Sequence, residues 1–303
     1  MNITNPYGAN TTVLLAGSCN ASCDFCFWNK ENAKIKAGRG YLDSVFSHLE
    51  KLPDSFKVLS VSGGEPTLSP MFGKFLARLG VHRRSHDLDR VVLTTHGGNL
   101  KPFITAIGCV IDHVNISRHG IGTADNVSIF GTDKIPTDDE LRDLILRIHS
   151  ETAMDVTLNC VVKPDVSVEF CNDFIEYAKD LGADAVSFRK VASDVSPTNA
   201  ESAFVSKHGI ASKADCPVCR GLVQDVDGFE VRWKGSVDEP SLMTNGIYEL
   251  VIHPDGKLYR DWGMTSEVSI QKPVAPKVPV PSRASMSRYN GGCGGGGLGT
   301  GGC

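Results

Sequence analysis

An α/β protein built on a parallel sheet is predicted, and three observations predict it. Apolar β-branched runs alternate with amphipathic stretches through the first 190 residues, giving six β/α units in a row. After about residue 195 that alternation stops and two hairpin patterns follow, each turning at an Asp-Gly pair. The 303 residues are 41% hydrophobic and 22% charged, a mix that fills a core and excludes collagen, wholesale disorder and a multi-span membrane protein.

The strand-like runs are Val13–Ala16, Val58–Val61, Val91–Thr95, His113–Ser117, Val156–Val162 and Ala185–Phe188. Between them lie helical patterns: Leu42, Val45, Phe46 and Leu49; Phe72 to Leu79; Leu141 to Ile148; and Phe170, Phe174, Ile175, Ala178 and Leu181, which stops at Gly182. Such a repeat closes as an open doubly wound sheet or a curved partial barrel, and in both the ligands sit at the C-terminal strand ends. Leu222–Val226 with Phe229–Trp233, and Tyr248–Ile252 with Leu258–Tyr259, read as the hairpins of a small β-rich extension. Pro-rich residues 273–281 then lead into a tail in which nine of the last 13 residues are glycine, too little apolar surface to fold alone. The expected division is 1–195 for the β/α core, 196–265 for the extension, and 266–303 for the Pro-rich linker and disordered Gly/Cys tail.

Net charge is −4, and residues 264–303 carry Lys272, Lys277, Arg283 and Arg288 against Glu267, which leaves −7 on the rest. A body this acidic disfavours sequence-independent grip on a nucleic-acid backbone, although it permits one anionic pocket. The first residues lack a basic region ahead of an apolar run, and no stretch approaches the ~20 apolar residues of a membrane span. A cytoplasmic protein is therefore expected, in a host's cytoplasm if viral, with no membrane partner. In that compartment clustered cysteines are metal or redox groups rather than disulfides.

Cys19, Cys23 and Cys26 fall within eight residues directly after the first strand. Three thiolates on one loop can hold a four-iron cluster and leave one iron open to a small molecule. A structural zinc would need a fourth ligand, which Phe27, Trp28, Asn29 and Lys30 do not offer. A distant fourth zinc ligand, or three unliganded thiols, are the competing readings. Ser62-Gly63-Gly64-Glu65-Pro66-Thr67 follows the second strand, where it is either a plain turn or a close-approach site for a ligand.

These two motifs, at these strand ends, resemble the radical SAM enzyme superfamily. The spacing of Cys19, Cys23 and Cys26, with Phe25 before the last, matches its cysteine motif, and Gly63-Gly64-Glu65-Pro66 matches the turn after its second strand. Thr94-Thr95-His96-Gly97, Asn115-Ile116-Ser117-Arg118 and Leu158-Asn159-Cys160-Val161-Val162 look like its later strands, so the resemblance spans residues 10 to about 195. It implies a partial (β/α)6 barrel, a [4Fe–4S] cluster on the three cysteines, and S-adenosylmethionine (SAM) chelating the open iron. It further implies reductive SAM cleavage, with an electron from a flavodoxin or ferredoxin, to a 5′-deoxyadenosyl radical that takes hydrogen from substrate.

Carried over residue by residue, the resemblance puts Gly63, Gly64 and Glu65 at the SAM ammonium, Phe25 near adenine and Ser117 at the ribose. Phe25 as core packing and Ser117 as a solvated hydroxyl are the plain alternatives. His96, Arg118, His119, Lys163, Arg189 and Lys190 gather at strand ends, with Arg118 the first choice to pair with the SAM carboxylate. The surplus of cations points to an anionic substrate such as a nucleotide, unless each is simply solvated. Cys160 is the candidate hydrogen donor at the radical site, while Cys109 and Cys171 are expected as core thiols. Cys216-Pro-Val-Cys219 resembles the start of an auxiliary-cluster extension in peptide-maturing relatives. The later cysteine of that extension is replaced here by Arg260-Asp261-Trp262, so Cys216 and Cys219 stay open between ligands, completed by Cys293 or Cys303, and a plain turn.

The whole chain also resembles radical SAM proteins of bacteriophage DNA-hypermodification pathways. That implies an isomerase acting on an amino-acid-modified thymidine, with DNA as a candidate partner. A peptide-modifying enzyme, and a non-catalytic iron–sulfur carrier or sensor, are the alternatives.

Overall fold

The computed structural model describes residues 10–15, 18–26, 35–191, 198–210, 212–213, 221–235 and 249–270. Cys216, Cys219, Cys293 and Cys303 lie outside them, as does the Gly/Cys tail. All the described residues belong to one unit, Met1–Gln271.

Six strands arise where β-branched periodicity places them: β1 (Asn10–Leu14), β2 (Val58–Ser62), β3 (Arg90–Thr95), β4 (His113–Ser117), β5 (Asp155–Val162) and β6 (Ala185–Lys190). The anticipated helices are α1 (Tyr41–Leu49), α2 (Phe72–Ser85), α5 (Asp138–Glu151) and α6 (Val168–Asp180). Three more lacked a clear apolar stripe: α3 (Ile104–Gly108), α4 (Gly122–Phe130) and α7 (Asn199–His208). Caps explain where the longer helices begin. Thr137 and Glu140 form a reciprocal capping box on α5, and Ser167 and Thr198 accept the first free N–H groups of α6 and α7.

The remaining strands are β7 (Ser212–Lys213), β8 (Leu222–Val226), β9 (Phe229–Lys234), β10 (Glu249–Ile252) and β11 (Leu258–Tyr259). Both anticipated hairpins form, β8 with β9 and β10 with β11. They do not pair with each other. Together the strands make one sheet in the order β11-β10-β1-β2-β3-β4-β5-β6-β9-β8-β7, with β10 parallel to β1 on one side and β9 parallel to β6 on the other. The parallel run thus grows from six strands to eight. Residues 266–270, assigned by sequence to the linker, pack back on the second hairpin, where Glu267 bridges Tyr259 and the Val268 N–H donates to Leu258 O.

Alternation along the strands sorts the two faces. Val13, Leu59, Val61, Val91, Leu93, Val114, Ile116, Val156, Leu158, Val186, Phe188, Val231 and Trp233 enter one core with the apolar sides of the helices. On the other face Leu14 and Val251 form a small apolar cluster with Trp262, and polar side chains bond across strands: Ser60 Oγ to Asn10 Oδ1 at 2.9 Å, and Thr12 Oγ1 and Asn10 Nδ2 to Glu249 at 2.7 and 3.0 Å. The helices cover the apolar side of the sheet. No helix among the described residues is long and apolar enough to cross a membrane.

Candidate functional site

The loops leaving the C-terminal ends of β1 to β6 surround one pocket, lined by Cys19, Cys23 and Cys26 on one side and by Asn159, Val161 and Arg189 on the other. The cysteine loop is docked by backbone contacts. Glu65 N donates to Ser18 O at 3.0 Å, and Ser22 N donates to Phe130 O at 2.8 Å. Gly64 is what permits the first of these: a Cβ there would sit 2.3 Å from Ser18 O and 3.0 Å from Cys19 Cβ. Gly63 has φ 137°, a conformation natural only to glycine. The glycine pair is therefore a seat for the cysteine loop, a reason independent of any ligand.

Glu65 joins the ends of β2 and β3. It is 1% exposed, and its Oε1 accepts from Thr67 N (3.1 Å), Thr67 Oγ1 (2.6 Å) and Thr95 Oγ1 (2.6 Å), while Oε2 accepts from His96 N at 2.8 Å. Four donors on one carboxylate hold it in place and share its charge with the pocket floor.

His96 has a defined tautomer. Gly98 N donates to its Nδ1 at 3.0 Å, so the proton sits on Nε2 and is given to Asn20 Oδ1 at 2.7 Å. Burial pushes its imidazole down despite the Glu65 charge, and the neutral ring pins Asn20 of the cysteine loop. His119 is fixed likewise: Val161 N donates to Nδ1 at 3.1 Å, leaving the proton on Nε2. Its ring stacks on Phe130 at 5.0 Å and receives Phe25 edge-on at 4.8 Å. Burial, then the Arg118 charge, pushes His119 down to about 3. Phe25 thus packs on His119 and also lines the pocket.

Two expected roles fail. Arg118 is fully buried and does not line the pocket; its guanidinium donates to the carbonyls of His96 (3.2 Å), Ser117 (2.9 Å) and Pro136 (3.0 Å). Buried, with three bonds to backbone oxygens and the Tyr177 side chain beside it, it braces the ends of β3 and β4 and is not placed to receive a SAM carboxylate. Cys160 is also fully buried, on the helix-facing side of β5 beside Cys171, where burial raises its thiol well above the ordinary range. Strand alternation turns Asn159 and Val161 toward the pocket and Cys160 away from it. Cys109, expected in the core, is exposed, with Sγ 3.4 Å from Thr105 O.

The remaining expected residues converge. Ser117 lines the pocket opposite Cys19, Gly63 and Gly64. Arg189 and Lys190 line it too, whereas Lys163 is exposed away from it. Sequence reasoning missed Asn20, Ser22 and Phe130, because loop-docking contacts leave no periodicity to read.

The donor set suits an iron–sulfur cluster. Cys19 and Cys26 are exposed toward the pocket side, yet packing around the sulfur and the charges of Glu65 and Cys26 raise the Cys19 thiol. Desolvation, then Cys26 and Cys19, pushes Cys23 up to about 12. Thiols that resist ionising beside one another become thiolates when a cationic centre shares them. Among the described residues no group of three or more such side chains gathers tightly enough for a single ion, and three cysteines on separate corners of a cluster need not do so.

No protein-family model matches the chain. A GTP 3′,8-cyclase of Rhodobacter capsulatus is 30% identical over 106 residues, which is 35% of this chain and 30% of that protein. Among solved structures, Streptococcus suis SuiB bound to S-adenosylmethionine aligns with TM-score 0.58 and 12% identity over 88% of this chain and 61% of that one. SuiB bound to precursor peptide SuiA aligns with TM-score 0.56, again at 12% identity, over 88% and 62%. The chain thus spans less than two thirds of the length of each. The three-cysteine loop after β1 and the Gly-Gly-Glu-Pro turn after β2 meet in one pocket at the end of the mostly parallel sheet, and the chain shares the fold of these SuiB structures.

Proposed function

We propose that the protein is a radical SAM enzyme, and one observation carries the reading: Cys19, Cys23 and Cys26 share a pocket with Gly63, Gly64 and Ser117, at the ends of three different strands. Cys19, Cys23 and Cys26 hold a [4Fe–4S] cluster. When bound, cluster and SAM together supply reductive cleavage of the sulfonium S–C5′ bond, one electron entering and methionine and a 5′-deoxyadenosyl radical leaving. The backbone carbonyls at Gly63 and Gly64 accept from the methionyl ammonium, with Glu65 adding negative charge behind them. Phe25 packs near the adenine, and Ser117 bonds the ribose. His96 holds the cysteine loop through Asn20 and keeps a neutral ring against Glu65. The electron comes from a flavodoxin or ferredoxin.

The proposed substrate is an anionic small molecule or nucleotide, rearranged by hydrogen abstraction and return as in an isomerase. Arg189 and Lys190 on the pocket wall support an anionic substrate. An amino-acid-modified thymidine in phage DNA is the favoured instance, resting on the whole-chain resemblance. A peptide substrate is the second reading, favoured by the β10/β11 hairpin and by the alignment with SuiB in complex with its precursor peptide.

The cluster-loaded protein, given dithionite and SAM without oxygen, is expected to release methionine and 5′-deoxyadenosine one to one. A loaded cluster that yields neither would end the enzyme reading and leave an iron–sulfur carrier. Mass spectrometry of nucleosides from host DNA, with and without the intact gene, separates the substrates. An altered nucleoside supports the thymidine reading, and an unaltered set counts against it.

A further inference from the structure

A second cavity lies at the other end of the sheet from the cysteines, and the proposed chemistry makes no use of it. It measures about 370 Å³, inside the ~300–1,000 Å³ range of small-molecule sites, and sits among the first residues of β1 and β2 and the last turns of α1 and α2. Leu49, Leu52, Phe56, Leu59 and Leu88 give it apolar walls.

Two polar side chains of its lining are more than nine-tenths buried and lack a hydrogen-bond partner. The Thr11 hydroxyl, on a residue 1% exposed, is unbonded, and neither ring nitrogen of His82, 7% exposed, makes a hydrogen bond among the described residues. Buried polar groups are as a rule paired, so two orphans on one cavity mark a place where a ligand supplies the partner. His82 is held ready for such a contact. Its ring stacks on His86 at 3.9 Å and 14°, and His86 Nδ1 is spent on His82 O at 3.2 Å. Burial, then the His86 ring, pushes the His82 imidazole down to about 4, so at neutral pH it is uncharged and offers one N–H and one lone pair. The charged side chains of the lining do not invite an ion: Lys57 and Asp87 bond each other at 2.7 Å, and Asp54 is exposed.

We propose that this cavity is a second binding site, taking an uncharged, mainly apolar molecule whose one hydroxyl or ring N–H bonds His82. The site shares no residue with the cysteine pocket and stands apart from the radical SAM reading.

Indole is the probe, titrated by equilibrium dialysis against the cluster-loaded full chain, with N-methylindole and indole-3-acetate as controls. Indole is expected to bind and to shift one imidazole 15N resonance that is missing from His82→Phe. That variant keeps a stacking ring but strands the indole N–H, so indole should bind about tenfold more weakly. N-methylindole, which has no N–H to give, should bind the wild type more weakly than indole by a similar factor and lose nothing further in the variant. Indole-3-acetate, which brings a charge without a counter-ion, should be weaker than indole. Leu52→Trp fills the cavity from a partly buried position and should abolish indole binding, which keeps the test open should His82→Phe misfold. No saturable indole binding by the wild type, equal binding by both variants, or indole-3-acetate binding tighter than indole would overturn the proposal. Failure of the wild type to cleave SAM, with indole binding still dependent on His82, would instead sink the radical reading and leave this site standing.

Discussion

Gly64→Ala tests the seat of the cysteine loop. The new methyl would lie 2.3 Å from Ser18 O and 2.7 Å from Ser18 C, both backbone atoms that no rotamer change can move aside. Ser18 must retreat by at least 0.7 Å for the closest contact to reach 3.0 Å, and the Glu65 N to Ser18 O bond, 3.0 Å in the native loop, is lost or stretched. That bond is worth about 1 kcal/mol and the overpacking costs about 1–3 kcal/mol. A Tm lower by on the order of 10 °C follows for a chain of this size. Cys19 moves with Ser18, and a displacement near 1 Å at a reacting centre lowers a rate by roughly 100-fold. The assay pairs calorimetry with iron per chain after anaerobic reconstitution and 5′-deoxyadenosine release. Wild-type Tm, iron and turnover in Gly64→Ala would refute the reasoning that position 64 is reserved for backbone approach.

Four further outcomes are expected. Arg118→Lys should lower Tm, because one ammonium cannot serve the three carbonyls, while SAM affinity in equilibrium dialysis stays within about threefold; a large loss of SAM affinity with normal Tm would restore Arg118 to the ligand. Cys160→Ala should retain 5′-deoxyadenosine formation and substrate turnover, and Cys160→Ser should cost about 1–3 kcal/mol in denaturant unfolding by placing a hydroxyl in apolar surroundings. Glu65→Ala strands the Thr67 and Thr95 hydroxyls and the His96 N–H, a cost on the order of 3 kcal/mol read as a shifted urea midpoint. Stability should also fall in acid. His82 is pushed down to about 4, and His113 and His119 to about 3, in each case first by burial, so the unfolded chain binds the protons. Their contribution is complete above the unfolded value near 6.5 and is lost as pH falls toward 4 and 3, by about 2 kcal/mol each at pH 5. A urea midpoint unchanged from pH 7 to pH 5 would contradict it.

What was legible in the sequence was whatever repeats along the chain. The β-branched runs of β2 to β6 and the apolar spacing of α1, α2, α5 and α6 follow from burial on one face, and the structure returns them within a few residues. β1 begins earlier than its apolar run, at Asn10, because Asn10 and Thr12 point to the polar face and bond Glu249. α4 carries little apolar stripe and escaped notice, yet its last residue, Phe130, anchors both Ser22 and the His119 ring. The pairing of β10 with β1 joins residues some 240 positions apart, a relation that local pattern does not encode. Within the site the motif residues came together as read. Arg118 and Cys160 did not, because type and position at a strand end say nothing about which face the side chain takes; counting alternation from Asn159 would have turned Cys160 to the core.

The central claim is that Cys19, Cys23 and Cys26 hold a cluster whose open iron is met by SAM in the pocket they share with Gly63 and Gly64. Electron paramagnetic resonance of the dithionite-reduced protein, recorded with and without SAM, tests it most directly. A reduced four-iron signal whose g values shift when SAM is added, and which is absent in Cys23→Ala, is the expected result. A signal indifferent to SAM, or one that survives loss of Cys23 unchanged, would contradict the account.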